Sequence, residues 1–108
     1  MTTVDIKAGI CGHYARVQAV TQEPRSVKIM IESDCENIAV FSGRLDTLDI
    51  NKIFHHPFNR NPVYEQAGRC GLHSACPVPC GVMKAAEAEL GLALKKDVAL
   101  IFEQEAPA

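Results

Sequence analysis

Apolar and polar residues alternate along two neighbouring stretches of the sequence, and this period of two restricts the fold more than any other feature. In residues 14–21 and 26–32 every second side chain is apolar. The apolar positions are Ala15, Val17 and Ala19 in the first stretch and Val27, Ile29 and Ile31 in the second. Such alternation is typical of strands with one buried face. Pro24 lies between the two stretches, so they are predicted to form an antiparallel hairpin.

The hydrophobic period changes after Ser33. In residues 35–48 apolar side chains recur at steps of three and four, which predicts a helix. The other predicted elements are strands at 4–9 and 97–104, short helical segments at 49–54 and 63–68, and a long helix at 77–90. Strands and helices do not alternate along the chain. We therefore predict an α+β domain, with a mostly antiparallel sheet of about four strands and helices packed on one face.

Composition limits the classes of function. The 108 residues predict a single domain, residues 1–108, large enough to bury a core without metal or disulfides. Eleven basic and thirteen acidic residues give a net charge of −2 with no basic run, so we expect no nucleic-acid partner and no membrane partner. The first residues lack the pattern of a signal peptide, and no apolar stretch approaches the length of a membrane-spanning helix. We expect a cytoplasmic protein.

Cysteine is the residue type that carries a functional signal. The chain contains five cysteines, at positions 11, 35, 70, 76 and 80. An odd number cannot be fully paired by internal disulfides, and cytoplasmic thiols are kept reduced. We therefore expect metal or thiol chemistry at some of these residues.

Three of the cysteines lie at the ends of predicted elements. Cys11 follows the first strand, Cys35 follows the third strand and begins a helix, and Cys76 begins the late helix. Loops from distant parts of a chain often meet at such positions. Free N–H groups and the positive end of the helix dipole favour a thiolate at Cys35 and Cys76. Thiolates bind zinc and iron–sulfur clusters and act as nucleophiles.

Cys76 and Cys80 form a C-x3-C pair rather than the C-x2-C pair of a zinc knuckle, so this pair alone is a weak zinc signature. Pro77 and Pro79 have a plain explanation as residues of a first helical turn. We assign Cys70 and Cys80 as accessory thiols. His73, which precedes Cys76 closely, is a candidate fourth ligand, and His13 is a candidate ligand or modulator.

The spacing of the three cysteines resembles that of the IscU/NifU family of iron–sulfur cluster scaffolds. Cys11-Gly12-His13 opens the hairpin, Cys35 follows the hairpin, and Cys76 begins the late helix, at intervals close to those of the family. His13 stands where the scaffolds have an acidic residue. The pattern also resembles an uncharacterised family of small proteins from anaerobic bacteria and archaea.

The scaffold resemblance implies an IscU-like fold and a site at Cys11, Cys35 and Cys76, completed by His73 or His13. It would hold an iron–sulfur cluster or Zn. The protein would store, deliver or sense the metal without turning over a substrate, and a protein partner would receive or supply it. The sequence does not determine the oligomeric state, and a homo-oligomer is one of the options.

Two alternatives remain at the level of sequence. Cys76 with His73 would form a thiolate–imidazole pair in a thiol enzyme or redox protein. Alternatively, the cysteines are small buried apolar residues of a structural or interaction domain, because free cysteine is among the most buried residue types.

Overall fold

The alternating segments form one antiparallel sheet in the computed structural model, which describes residues 1–23, 25–54 and 56–105. Its strands are β1 (Thr2–Lys7), β2 (Tyr14–Glu23), β3 (Ser26–Ser33) and β4 (Thr47–Asp49), and they are ordered β1-β2-β3-β4. Val17 in the middle of β2 lies opposite Val4 on one side and Ile31 on the other. The predicted hairpin is confirmed; Pro24, its predicted breaker, lies outside the described residues.

Helices cover the apolar face of the sheet. They are α1 (Glu36–Leu45), α2 (Ile50–Phe54), α3 (Pro62–Arg69) and α4 (Val78–Glu89), with 3-10 turns at Gly9–Cys11 and Phe58–Arg60. Helix α1 packs on β3, α4 packs on β1 and β2, and α3 contacts both of these helices. The predicted α+β class is therefore confirmed.

The core lies between this face and the helices. Phe41 of α1, Val17 and Val27 of the sheet, and Val78 and Val82 of α4 are completely buried. Burying a side chain of this size contributes roughly 1.5–3 kcal/mol. These contacts hold α1 and α4 side by side on the sheet.

The opposite face of the sheet is open to solvent. It carries polar residues, and Arg16 Nε donates to Asp5 Oδ1 at 2.8 Å across β1 and β2. One buried and one solvated face explain the clean period of two in the sequence.

Helix α1 is shorter than predicted. It ends at Leu45, and Asp46 adopts a positive φ of 44°, which turns the chain into β4. Leu48 then lies opposite Val27 in the sheet instead of continuing the helical face. The prediction erred because the step from Leu45 to Leu48 fits a helix, although Leu48 is buried by a strand.

The strand predicted at residues 97–104 is wrong for this structure. Residues 91–105 form no helix or strand, and all of them are exposed. A strand needs a partner for its backbone groups, and this segment pairs with none of the four described strands. The fourth strand of the sheet is β4 instead.

Within the described part of the chain, no helix has both the length and the apolar character needed to cross a membrane.

Candidate functional site

Cys11, Cys35 and Cys76, which we call the cysteine cluster, lie at one end of the sheet. Here β1 ends, β2 begins and β3 ends, so the connections that carry Cys11 and Cys35 are neighbours. Helix α4 packs on β1 and β2, with Gly81 directly over Ile6, and this brings the start of α4 to the same end. The sheet register therefore assembles three segments that are distant in sequence.

Cys35 is the residue before the first turn of α1. Its backbone is extended (φ −90°, ψ 123°), and its N–H donates to Ser33 Oγ at 3.1 Å. The side chain is half-buried and packs against the hydrophobic core. The predicted position of Cys35 at the start of a helix is confirmed, and its backbone is held on both sides by regular structure.

Cys76 lies two residues before the start of α4, and Pro77 is the N-cap residue between them. Its N–H donates to the His73 carbonyl at 3.0 Å, and its half-buried side chain packs against the core. Burial raises the pKa of the Cys76 thiol above its ordinary value. The Val78 N–H, which donates a hydrogen bond to the sulfur, lowers this pKa, and negative charge on Cys11 or Cys35 raises it. Burial is thus the main influence on the Cys76 thiol.

Cys11 is the exposed member of the cluster. It lies in a 3-10 turn between Gly9 (φ 84°) and Gly12 (φ 73°), and its thiol is 3.9 Å from the Ala8 carbonyl. A side chain at either glycine would contact no described residue outside the turn. Positive φ values of this kind favour glycine, so the turn depends on these two residues.

His13 is engaged by the carboxylate of Asp34, which is not among the predicted site residues. Asp34 Oδ1 lies 3.2 Å from His13 Nδ1 and accepts the Tyr14 N–H at 3.2 Å. Both hydrogen bonds lower the pKa of Asp34, and the bond from the Tyr14 N–H has the larger effect. Asp34 directly precedes Cys35, and this position is the sequence signal that could have indicated Asp34 as a site residue. Asp34 adds an anionic group beside the cysteine cluster.

The other predicted site residues occupy different surroundings. His73 is exposed in the loop before Cys76, and Cys70 is half-buried at the end of α3. Cys80 is exposed beside a cleft that Tyr64 and other residues of α2, α3 and α4 line. In the described part of the chain, no three His, Cys, Asp or Glu side chains already have an arrangement that would hold a metal ion.

A family model described as a family of unknown function (DUF6951) matches residues 2–102. The chain belongs to this family. Membership confirms the prediction of an uncharacterised family, whereas the resemblance to the IscU/NifU scaffolds stays a prediction. The matched range includes the cysteine cluster and continues into the exposed C-terminal residues. No curated protein and no solved structure matches the chain.

Proposed function

We propose that this protein binds a thiophilic metal ion or an iron–sulfur cluster through Cys11, Cys35 and Cys76, and that it carries, stores or senses that metal. The observation that supports this proposal is the fold, because the sheet register and the packing of α4 bring the three segments that carry these cysteines to one end of the sheet. Negative charge on Cys11 or Cys35 would raise the pKa of Cys76 further. Like charges that disfavour one another in the metal-free protein become favourable ligands when a cation lies between them.

The three ligands differ in how firmly the fold holds them. Cys35 and Cys76 precede helices that are packed on the sheet, whereas Cys11 lies on an exposed turn between two glycines. Metal binding would therefore require the Cys11 turn to close onto two fixed thiols. Thiolate ligands surround zinc at about 2.3 Å, so the closed cluster would be tighter than the one in the structure.

A fourth ligand is available from nearby residues. His73 belongs to the loop that ends at Cys76, and His13 is adjacent to Asp34 in space and to the Cys11 turn in sequence. The Asp34 carboxylate would orient the His13 ring, as carboxylates commonly do for metal-bound histidine. A resemblance to the iron–sulfur scaffolds agrees with this set of residues.

The alternative of a thiol enzyme is less well supported. A nucleophilic cysteine needs a lowered pKa, and burial raises the pKa of Cys76. Cys76 is therefore assigned to metal binding. The protein would exchange the metal with a partner protein and would not turn over a substrate.

The test is metal binding by the full chain under anaerobic conditions. Elemental analysis for iron, zinc and sulfide identifies the native metal, and titration with Co²⁺ reports thiolate ligands through charge-transfer absorption. Cys11→Ser, Cys35→Ser and Cys76→Ser should each weaken binding at least about tenfold, because each removes one thiolate. Cys80→Ser is the matched control and should bind like the wild type. Equal binding by all four variants would disprove the proposal.

Cys11→Ser is the most informative variant. Cys11 is exposed and lies outside the core, so this change should abolish tight binding and leave the melting temperature of the metal-free protein unchanged. Cys35 and Cys76 are half-buried against the core, and their variants need circular dichroism to confirm the fold.

A further inference from the structure

The C-terminal segment, residues 97–104, has the composition of a strand but no place in the sheet. Its sequence, DVALIFEQ, contains an unbroken apolar run at positions 98–102, and the large side chains of this run are 66% to 98% exposed. A short segment of this composition pairs readily with any open sheet edge. The family match continues through residue 102, so the apolar run at positions 98–102 belongs to the part of the chain that the family model describes.

The same molecule has an open sheet edge. β1 is the first strand in the sheet order, and among the described residues no strand pairs with its outer side. It is six residues long, or about 20 Å. β4, at the other edge, has only three residues and leads directly into α2, so it offers too few backbone groups for a stable addition.

We propose that the C-terminal segment of one copy of this chain pairs with β1 of a second copy as an antiparallel fifth strand, and that the exchange is reciprocal. Antiparallel pairing continues the pattern of the existing sheet. The occupant of the β1 edge is thus a second copy of the protein.

The apolar pattern requires a register that places Val98, Leu100 and Phe102 on the inner face of the sheet. With Leu100 opposite Val4, Val98 lies opposite Ile6, and Phe102 lies opposite the first residue of β1. Thr2, Val4 and Ile6 form the inner face of β1, so the larger side chains of the segment extend the core face.

The same register also matches the charges. It places Asp97 opposite Lys7, and it places Glu103 beyond the start of β1, toward the amino group of Met1. Opposite charges across a strand pair are stabilising. Apolar and charged positions therefore select one alignment.

The position of α4 favours an exchange between copies. Glu89, the last residue of α4, binds Thr2 at the beginning of β1. An antiparallel strand must instead start beside Lys7, about 17 Å away at the far end of β1. Within one chain, residues 90–96 would have to run from the Thr2 end of β1 to its Lys7 end, along the same edge on which the new strand would lie. A second copy has no such restriction.

The buried area reaches the threshold of a specific interface. Val98, Leu100, Ile101 and Phe102 are all largely exposed, and two such segments would bury on the order of 1,000 Å² together with the edges that they cover. This area lies near the lower end of specific protein interfaces.

The test is the oligomeric state of the full chain in reducing buffer, measured by light scattering and sedimentation. We expect a dimer of twice 11.8 kDa. Leu100→Lys should weaken self-association at least about tenfold, because it places a charge on the inner face. Gln104→Lys adds the same charge beyond the end of β1 and should remain dimeric. Leu100 is largely exposed in the single chain, so its variant should keep the fold.

Hydrogen exchange identifies the surface that is used. The β1 amides and those of residues 98–102 should be protected in the wild type and exchange faster in Leu100→Lys. A monomeric wild type overturns the proposal, and a protected segment in such a monomer would show pairing within its own chain. A dimer that survives Leu100→Lys, or whose β1 amides are unchanged by it, also overturns the proposal. All samples are prepared with reductant and a chelator, so these outcomes are independent of metal binding.

Discussion

At the scale of single residues, Asn61 shows how one buried polar side chain fixes the path between two helices. It is 5% exposed. Its Nδ2 donates to the Ile53 carbonyl at 2.7 Å, and its Oδ1 accepts the Val63 N–H at 2.9 Å. Asn61 therefore caps α3 and joins its start to α2. The sequence predicted the helix but not its cap, because a polar residue directly before Pro62 has the composition of an ordinary loop.

Asn61→Ala should lower the free energy of unfolding by about 1–3 kcal/mol, since it removes a helix cap and leaves the Ile53 carbonyl and the Val63 N–H buried without this partner. Asn59→Ala, on the exposed 3-10 turn nearby, is the control and should change stability by less than about 0.5 kcal/mol. Urea denaturation monitored by circular dichroism measures both values. Equal stability of the two variants would contradict this role of Asn61.

At the scale of elements, Glu89 joins the end of α4 to two strands. Its carboxylate accepts the Thr2 hydroxyl at 2.8 Å and both the N–H and the hydroxyl of Thr21 at 3.0 Å. The Met1 amino group lies 3.6 Å away. The Thr2 hydrogen bond is the largest cause that lowers the Glu89 pKa, from 4.5 to about 2. The ionised carboxylate thus holds α4 against β1 and β2.

Glu89→Gln should destabilise the protein by about 1–3 kcal/mol at pH 7, because a charged acceptor of several hydrogen bonds is lost. The folded pKa is below the ordinary value, so the contribution of Glu89 is complete above about pH 4.5 and is lost as the pH falls through about 2. The difference between wild type and variant should shrink over that interval in thermal denaturation. Glu87→Gln, on the same helix, is the control and should change the stability at pH 7 by less than about 0.5 kcal/mol.

The sequence predicted the elements whose burial has a simple period. β2 and β3 each have one buried face, and α4 presents a continuous apolar face, so alternation and helical spacing identify them. The period failed at Leu48, which a three-residue strand buries. It also failed at residues 97–104, which have strand composition but pair with none of the described strands. In both cases tertiary contacts decide the structure, and a local pattern does not contain them.

At the scale of the whole molecule, the cysteine cluster depends on the sheet. Cys11, Cys35 and Cys76 are far apart in sequence, and the order of the strands and the packing of α4 bring them to one end of the domain. Their positions at the ends of elements were predictable from periodicity. Their separations in space were not, because these depend on how the Cys11 turn and the loop before α4 pack against the sheet.

The stability of the metal-free protein should depend on this arrangement at alkaline pH. Burial raises the pKa of Cys76 above 9.0, so the unfolded chain releases this proton at a lower pH than the folded one. The contribution of the neutral thiol is therefore complete below about pH 9 and is lost as the pH rises through the folded pKa.

We expect the free energy of unfolding, measured with chelator and reductant, to fall more steeply as the pH rises above about 9 in the wild type than in Cys76→Ser, which has no thiol to ionise at that position. Cys80→Ser is the control, because Cys80 is exposed, and it should follow the wild type. Indistinguishable pH profiles for wild type and Cys76→Ser would show that the fold does not hold Cys76 in its neutral form. The N-terminal end of α4, which favours a thiolate, would then influence the pKa of Cys76 more strongly than burial does. In that case the thiol-enzyme alternative would regain support.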